Sequence, residues 1–343
     1  MRTRVCITID TEFNIAGAFS DSLKVPVAEQ VVWCNVNGRS EGMEFMLDTF
    51  QKNKVQATFF VETLQRLYFK DDPMRAVAHR IQDGGHEVQL HTHPCWSLFA
   101  HPDWRERAKG QRGRDDFAGR SVDDSVRLIE QGIETFRDWG LARPAAFRSG
   151  NLQHDDNLYQ ALARTGIPYA SNVAVGIFDS GDPNYRLYSG QHERHGVIEC
   201  PVLTFADWRI GGKQHLKSLT IAGASFAETR DLLEKARQAG IPLVVLLTHP
   251  FEYVQKRDMA FTQVRRNSQT QQRLTRLCEY LHANEDQFDA CGLAHAASAG
   301  RVDNSSNPLL DGTLLHAVPR MAAQVAYDKL GQVSLNRSFG GAR

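Results

Sequence analysis

The sequence predicts an α/β fold built on a parallel sheet, either open or closed into a barrel. Three observations carry this. Short apolar runs alternate with helix-like segments for most of the 343 residues. The most apolar run, 242–247, is continuous rather than alternating. Polar motifs stand directly after several of these runs. Strand and helix in regular alternation build parallel β-α-β units, and a continuous apolar run suits a strand covered on both faces. In a barrel the chemistry collects where strands end at their C-terminal edge. Each strand-end motif is therefore a candidate part of one site.

Strands are expected over 5–9, 57–61, 87–90, 145–147, 169–171, 197–202, 243–247 and 288–292. Between them, 121–140 reads as a helix with Ser121 as its cap and Val122, Val126, Ile129, Ile133 and Phe136 on one face. A second helix starts at Ser225, where Ser225 and Glu228 have capping-box spacing, and stops at Gly240. A third spans 267–282, with Leu274, Leu277 and Leu281 inward. The pattern fades near Ala296. Residues 1–296 are thus expected to form the main domain. Residues 297–343 are read as a partly irregular C-terminal extension, with a short helix over 321–330.

Composition removes some classes of partner. Forty basic residues balance forty acidic ones, so bulk charge gives no reason to expect nucleic acid or an anionic membrane. No run approaches the roughly 20 apolar residues of a membrane span. The first strand begins almost at Met1, with no basic segment and apolar core ahead of it. Six cysteines are scattered without the close spacing of a zinc knuckle. The expectation is a soluble, cytoplasmic protein with reduced thiols.

Four motifs carry chemistry. In Ile7-Thr8-Ile9-Asp10-Thr11-Glu12 the two acids are two residues apart, so on an extended strand Asp10 and Glu12 point the same way. They either share work as base and metal ligand or form a surface pair. In Gly84-Gly85-His86-Glu87-Val88-Gln89-Leu90-His91-Thr92-His93-Pro94, His91 and His93 have the same spacing, and paired imidazoles suit a borderline divalent ion such as zinc. In Phe147-Arg148-Ser149-Gly150-Asn151, Arg148 leaves a small apolar strand for a Gly-containing turn. It can orient a carboxylate through paired hydrogen bonds or make a surface salt bridge. In Leu247-Thr248-His249-Pro250-Phe251-Glu252, His249 follows the most apolar strand, where it serves either as a general acid or as a buried structural residue.

The order and local sequence of these motifs resemble the NodB homology domain of polysaccharide deacetylases, the carbohydrate esterase family 4 type, over residues 4–296. Ala57-Thr58-Phe59-Phe60-Val61 and 158–166 support the resemblance. It implies a distorted (β/α) barrel and a hydrolase that removes an N-acyl group, N-acetyl above all, from an amino sugar. It further implies Asp10 as catalytic base, Arg148 as the residue holding that base, His249 as general acid and His91 as a metal histidine. The family pattern places an aspartate directly after the base and a second histidine four residues after the first. This chain has Thr11 and Cys95 there. Glu12 and His93 are therefore assigned to the metal, with a Cys95 thiolate as the alternative. Zinc is the first choice of ion; cobalt, nickel or manganese would also serve.

The Asp-Thr-Glu, His-Thr-His-Pro and His-Pro-Phe-Glu set resembles a branch from bacterial surface-polysaccharide biosynthesis, WalW-type lipopolysaccharide proteins included. Substrate contacts are expected at Trp96, at Ser149 and Asn151 through a backbone N–H that holds the oxyanion, and at Asp207 and Trp208. An ordinary packed tryptophan explains Trp208 equally well. The expected partner is an N-acylated amino sugar, whether free, nucleotide-linked, lipid-linked or oligomeric. Two other functions remain open: a metal-independent amide or formamide hydrolase of the same superfamily, and an inactive sugar-binding module.

Overall fold

A computed structural model describes residues 2–109, 115–300, 302 and 304–313, without the side chain of Ile210. In chain order the strands are β1 (Thr3–Thr11), β2 (Asn35–Val36), β3 (Arg39–Ser40), β4 (Thr58–Glu62), β5 (Glu87–Thr92), β6 (Ala146–Ser149), β7 (Tyr169–Ala170) and β8 (His192–Arg194). Then come β9 (Val197–Glu199), β10 (Thr204–Ile210), β11 (Lys213–Ser218), β12 (Leu243–Thr248), β13 (Val254–Lys256), β14 (Val264–Arg266), β15 (Phe288–Ala290) and β16 (Leu310–Asp311). The helices are α1 (Gln30–Trp33), α2 (Met43–Asn53), α3 (Met74–Asp83), α4 (Trp104–Ala108), α5 (Val122–Asp138), α6 (Asp156–Arg164), α7 (Phe226–Gln238), α8 (Ser268–Ala283) and α9 (Leu293–Ala299).

Nine strands form one sheet in the order β12-β1-β4-β5-β6-β7-β9-β8, with β15 also on β1. Every pairing is parallel except β8 with β9. The sheet curls until Val202, just past β9, meets Val245 of β12; Thr220 likewise meets Leu247. These isolated parallel bridges join the two ends, so the fold is a distorted barrel with a thin seam.

Side chains alternate across this curled sheet, as the pleat requires. Val5, Ile7, Ile9, Phe59, Val61, Leu90, Phe147, Val244 and Leu246 pack outward in the large core beneath the helices. Cys6, Phe60, Ala146, Cys200, Leu243, Val245 and Leu247 fill the barrel interior, where Leu293, Ala296 and Ala297 of α9 join them. Both faces are buried, which is why 242–247 reads as a continuous apolar run. All six cysteines are free and buried.

Each of the eight expected strands is present. Five run further at their C-terminal ends, finishing at Thr11, Glu62, Thr92, Ser149 and Thr248. Four of those ends, all but that of β4, carry the polar motifs. Ser121 caps α5 by accepting the Asp124 N–H, and Ser225 and Glu228 close the capping box of α7. Leu274, Leu277 and Leu281 of α8 are buried as expected.

The chain after Val202 differs from expectation. Residues 204–218 form a hairpin, β10 and β11, turning at Gly211-Gly212, where both glycines have positive φ. Strand β16 adds to β10 in parallel, and Asn304 and Asn307 accept N–H bonds from Glu193 and Tyr188. The described part of the extension therefore lies against the domain. Helix α9 runs through residues 296 and 297, and the expected helix over 321–330 lies outside the described residues. Among the described residues, no helix is long and apolar enough to cross a membrane.

Candidate active site and metal centre

Parallel register puts the strand-end motifs side by side. Ile9 of β1 pairs with Thr248, the last residue before His249; Glu62 of β4 pairs with His91; and His91 pairs with Arg148 of β6. Neighbouring strands thus deliver an acid, two histidines, an arginine and a histidine to one rim of the barrel. The four motifs converge.

Asp10 is 4% exposed and Arg148 is 0% exposed. Arg148 Nη1 donates to Asp10 Oδ1 at 2.7 Å. The bond to the carboxylate is single rather than paired, because Nε and Nη2 of Arg148 donate to the Ser171 carbonyl and hydroxyl at 2.8 and 2.7 Å. The guanidinium also lies 4.4 Å from the Phe60 ring centroid. Three anchors fix the cation, so the carboxylate it holds is fixed as well.

His249 Nε2 stands 3.9 Å from Asp10 Oδ2. Its Nδ1 lies 3.1 Å from Glu252 Oε1, while Glu252 Oε2 accepts from the Thr248 hydroxyl and the His249 N–H. Burial opposes a charged ring here. The Glu252 hydrogen bond and the charges of Glu252, Asp10 and Glu12 outweigh it and hold the His249 pKa up at about 9.

Glu12, His91 and His93 offer three ligand atoms within 4.8 Å of one another. His91 is 1% exposed, and its Nδ1 sits 2.8 Å from the Arg148 carbonyl. A carbonyl only accepts, so Nδ1 carries the proton and Nε2 keeps its lone pair. That Nε2 is buried with no hydrogen-bond partner and lies 3.4 Å from Glu12 Oε2. Burying a polar atom unpaired is costly, and a cation would satisfy it. His93 Nε2 is 2.5 Å from the same Glu12 oxygen, and His93 Nδ1 is 2.6 Å from Asp115 Oδ2. The donor set of one carboxylate and two imidazoles, each imidazole tied back by a backbone or carboxylate acceptor, fits a zinc-like ion.

A second grouping, His93, Cys95 and Asp115, is also close enough to share an ion. It fits less well. Burial pushes the Cys95 thiol up, away from the thiolate a metal needs. Asp115 is already engaged by the Cys95 N–H and the Asn151 amide.

Asp115, Glu62 and Glu252 complete the site without having been expected from the sequence. Glu62 is fully buried and accepts the N–H groups of His93, Leu64 and Gln65. Burial raises its pKa to about 7 against those hydrogen bonds. It fixes the turn on which His93 sits. Gly150 lets His93 fit, since a Cβ there would come within 2.5 Å of His93 Nδ1. Asp115 orients the ring from the far side. Replacing Asp115 by Asn should weaken metal binding about 10–100-fold, measured by competition with a chelating dye. Unchanged affinity would remove that role.

The expected substrate contacts fare differently. The Ser149 N–H is taken by Asn172 Oδ1 at 2.8 Å, so it does not face an oxyanion. Asn151 is exposed, and its side-chain amide donates to Asp115 Oδ2 at 2.8 Å, on the His93 side of the site. Trp96 is 1% exposed, packs on Phe69 and Phe99, and reaches only the edge of a small cavity beside Glu12 and His93. Asp207 and Trp208 lie on β10 in the three-stranded sheet rather than at the barrel rim. Asp207 is buried 3.6 Å from His215, on whose ring Trp208 stacks. His86, upstream on the second motif, packs between Phe50 and Phe59 and accepts the Ala57 N–H.

Residues 26–170 match the family model described as polysaccharide deacetylase. Over that stretch the chain is similar to polysaccharide deacetylases. The match includes His91, His93 and Arg148; Asp10, Glu12 and His249 lie outside it and reach the site through the fold. Among curated proteins, none matches. Similar solved structures include a polysaccharide-deacetylase-like protein from Mycobacterium smegmatis, at 15% identity, TM-score 0.49 and 90% and 95% coverage of this chain and that one. A family 4 acetyl xylan esterase from Clostridium thermocellum, in complex with a cobalt ion, is 14% identical at TM-score 0.41, with 91% and 100% covered. A family 4 carbohydrate esterase from Streptomyces lividans, in complex with acetate, is 12% identical at TM-score 0.39, with 91% and 98% covered.

Proposed function

We propose that this chain removes an N-acyl group, foremost N-acetyl, from an amino sugar, by hydrolysis that depends on a divalent metal. The observation that carries the reading is the buried, unpartnered Nε2 of His91 beside Glu12 and His93, one strand from a carboxylate clamped by a buried arginine. Glu12, His91 and His93 would hold the ion, zinc by first choice, which when bound supplies Lewis-acid polarisation of the acyl oxygen and a lowered pKa for water. Asp10, fixed by Arg148, accepts a proton from the attacking water. The water oxygen bonds to the acyl carbon. His249, kept charged by Glu252, donates its proton to the sugar nitrogen as the C–N bond breaks. The products are a carboxylate and a free amine.

The unit that carries this reaction is taken as residues 1–296. We place it in the cytoplasm, on a surface-polysaccharide or lipopolysaccharide intermediate; six free, buried cysteines support a reducing compartment. The test is acetate release from a panel of N-acetyl amino sugars, with and without chelator. Release that a chelator leaves untouched would overturn the metal dependence, and no release from any sugar would overturn the activity.

The charge on His249 gives the activity a pH signature. The folded pKa lies above the ordinary 6.5, so the proton is held through neutrality. Its contribution to stability is complete below pH 6.5 and is lost as pH rises through about 9. Turnover should therefore fall on the alkaline side near pH 9. Glu252→Gln should move that limb down toward 6.5, read from kcat/KM profiles of the two proteins; coincident limbs would exclude His249 as the acid.

A further inference from the structure

A cavity of about 140 Å³ opens beside the proposed metal ligands. Glu12, His93 and Asp115 form its polar end; Phe13, Ile15, Val31, Trp96 and Phe251 give it apolar surface, and Asn14 and Cys95 complete the lining. Phe13 and Val31 are buried, and Phe251 stacks on the His249 ring at 4.8 Å between centroids. The same aromatic ring thus borders both the acid and the cavity. Ile15 and Val31 come from the connection between β1 and α2, which an Asn14–Val27 bridge holds in place. Asp10 and His249 are outside the lining, so the cavity opens on the side of the metal centre away from the base.

We infer that this cavity receives the acyl chain of the substrate and that it selects a chain longer than acetyl. The inference rests on the hydrolase reading above and deepens it. An acyl carbon within reach of Glu12, His93 and Asp10 has its substituents fixed in three directions: the attacking water lies toward Asp10, the departing nitrogen toward His249, and the alkyl chain toward the remaining wall. Away from Glu12, His93 and Asp115, that wall is mostly apolar, with Asn14 its polar exception. An acetyl methyl needs about the volume of one water molecule, ~30 Å³, whereas an engineered apolar cavity of about 150 Å³ holds benzene. A cavity of about 140 Å³ that takes only a methyl leaves water against Phe13, Ile15 and Val31, and removing such apolar surface from water is favourable. A chain of about four to six carbons fills it.

The experiment compares N-acetyl-, N-butyryl- and N-hexanoylglucosamine on metal-loaded protein, following release of the free amine. The butyryl amide is expected to exceed the acetyl amide in kcat/KM by about tenfold or more. Ile15→Phe, at the half-buried edge, and Val31→Phe, deeper in, should each lower the butyryl-to-acetyl ratio by about tenfold. A second arm measures binding of the same sugars by calorimetry to chelator-treated protein. There the two extra methylenes should tighten binding about tenfold, and Ile15→Phe should abolish the difference. Acetyl equal to or better than butyryl in both arms would overturn the inference, as would ratios that neither variant moves. If no amide is cleaved, the hydrolase reading falls, and the binding arm alone decides the pocket.

Discussion

Asp10→Asn should lower turnover by about 10²–10⁴-fold, the usual contribution of a positioned general base. The substitution keeps the shape of the side chain, and its amide oxygen can still accept from Arg148 Nη1, so the barrel rim should stay as it is. Asp10 is not one of the three clustered ligand residues, and bound metal should remain near its original stoichiometry. The pair of measurements is acetate release and metal content on the same sample. Activity lost together with the metal would make Asp10 a ligand instead of a base. Activity retained with the metal in place would remove it from the reaction.

Arg148→Met should destabilise the folded protein by about 3–5 kcal/mol, the range for breaking a buried ion pair by deleting one partner. The loss has two sources. Asp10, 4% exposed, would lose the guanidinium that pairs with its carboxylate, and the Ser171 carbonyl and hydroxyl would lose their donors. Urea titrations of Arg148→Met and of the double variant with Asp10→Asn separate the two sources. The double variant should regain part of the loss, because the unpaired carboxylate has gone. A cost below about 1 kcal/mol for the single variant would show that the pair is not buried in solution. Arg148→Lys should rescue poorly, since an ammonium cannot reach Asp10 and both Ser171 acceptors from one planar fork.

The fold was legible because its signals are local and repeated. Each barrel strand is a short apolar run, and two capped helices announce themselves through Ser121 and through Ser225 with Glu228. The catalytic and metal candidates were legible because residues two apart on a strand share a face, which places Asp10 with Glu12 and His91 with His93 before any packing is known. Asp115 had no such signal. It lies 22 residues beyond His93, in a polar stretch with no periodicity, and only the fold brings its carboxylate to the imidazole. Glu62 did have one, as an acid directly after an apolar run, but a backbone-capping carboxylate leaves no motif. The expected contacts at Ser149, Asn151 and Trp96 meet a common obstacle. Position near a catalytic residue in sequence says nothing about which neighbour has already claimed the donor or covered the ring. The β10–β11 hairpin carried its own mark in Gly211-Gly212, between two runs that pair with each other.

Gly150 has a consequence for how this protein would look to a mutational screen. It contributes no functional group, and its own φ is not in the left-handed region. Even so, the first carbon of any side chain there would strike the His93 ring. In a saturation library scored for activity, position 150 would tolerate nothing and would rank beside Asp10. Scored for expression it would be less restrictive, because the His93 side chain can turn aside from a small substituent, and the gap between the two maps would locate the candidate metal centre without a metal ever being measured.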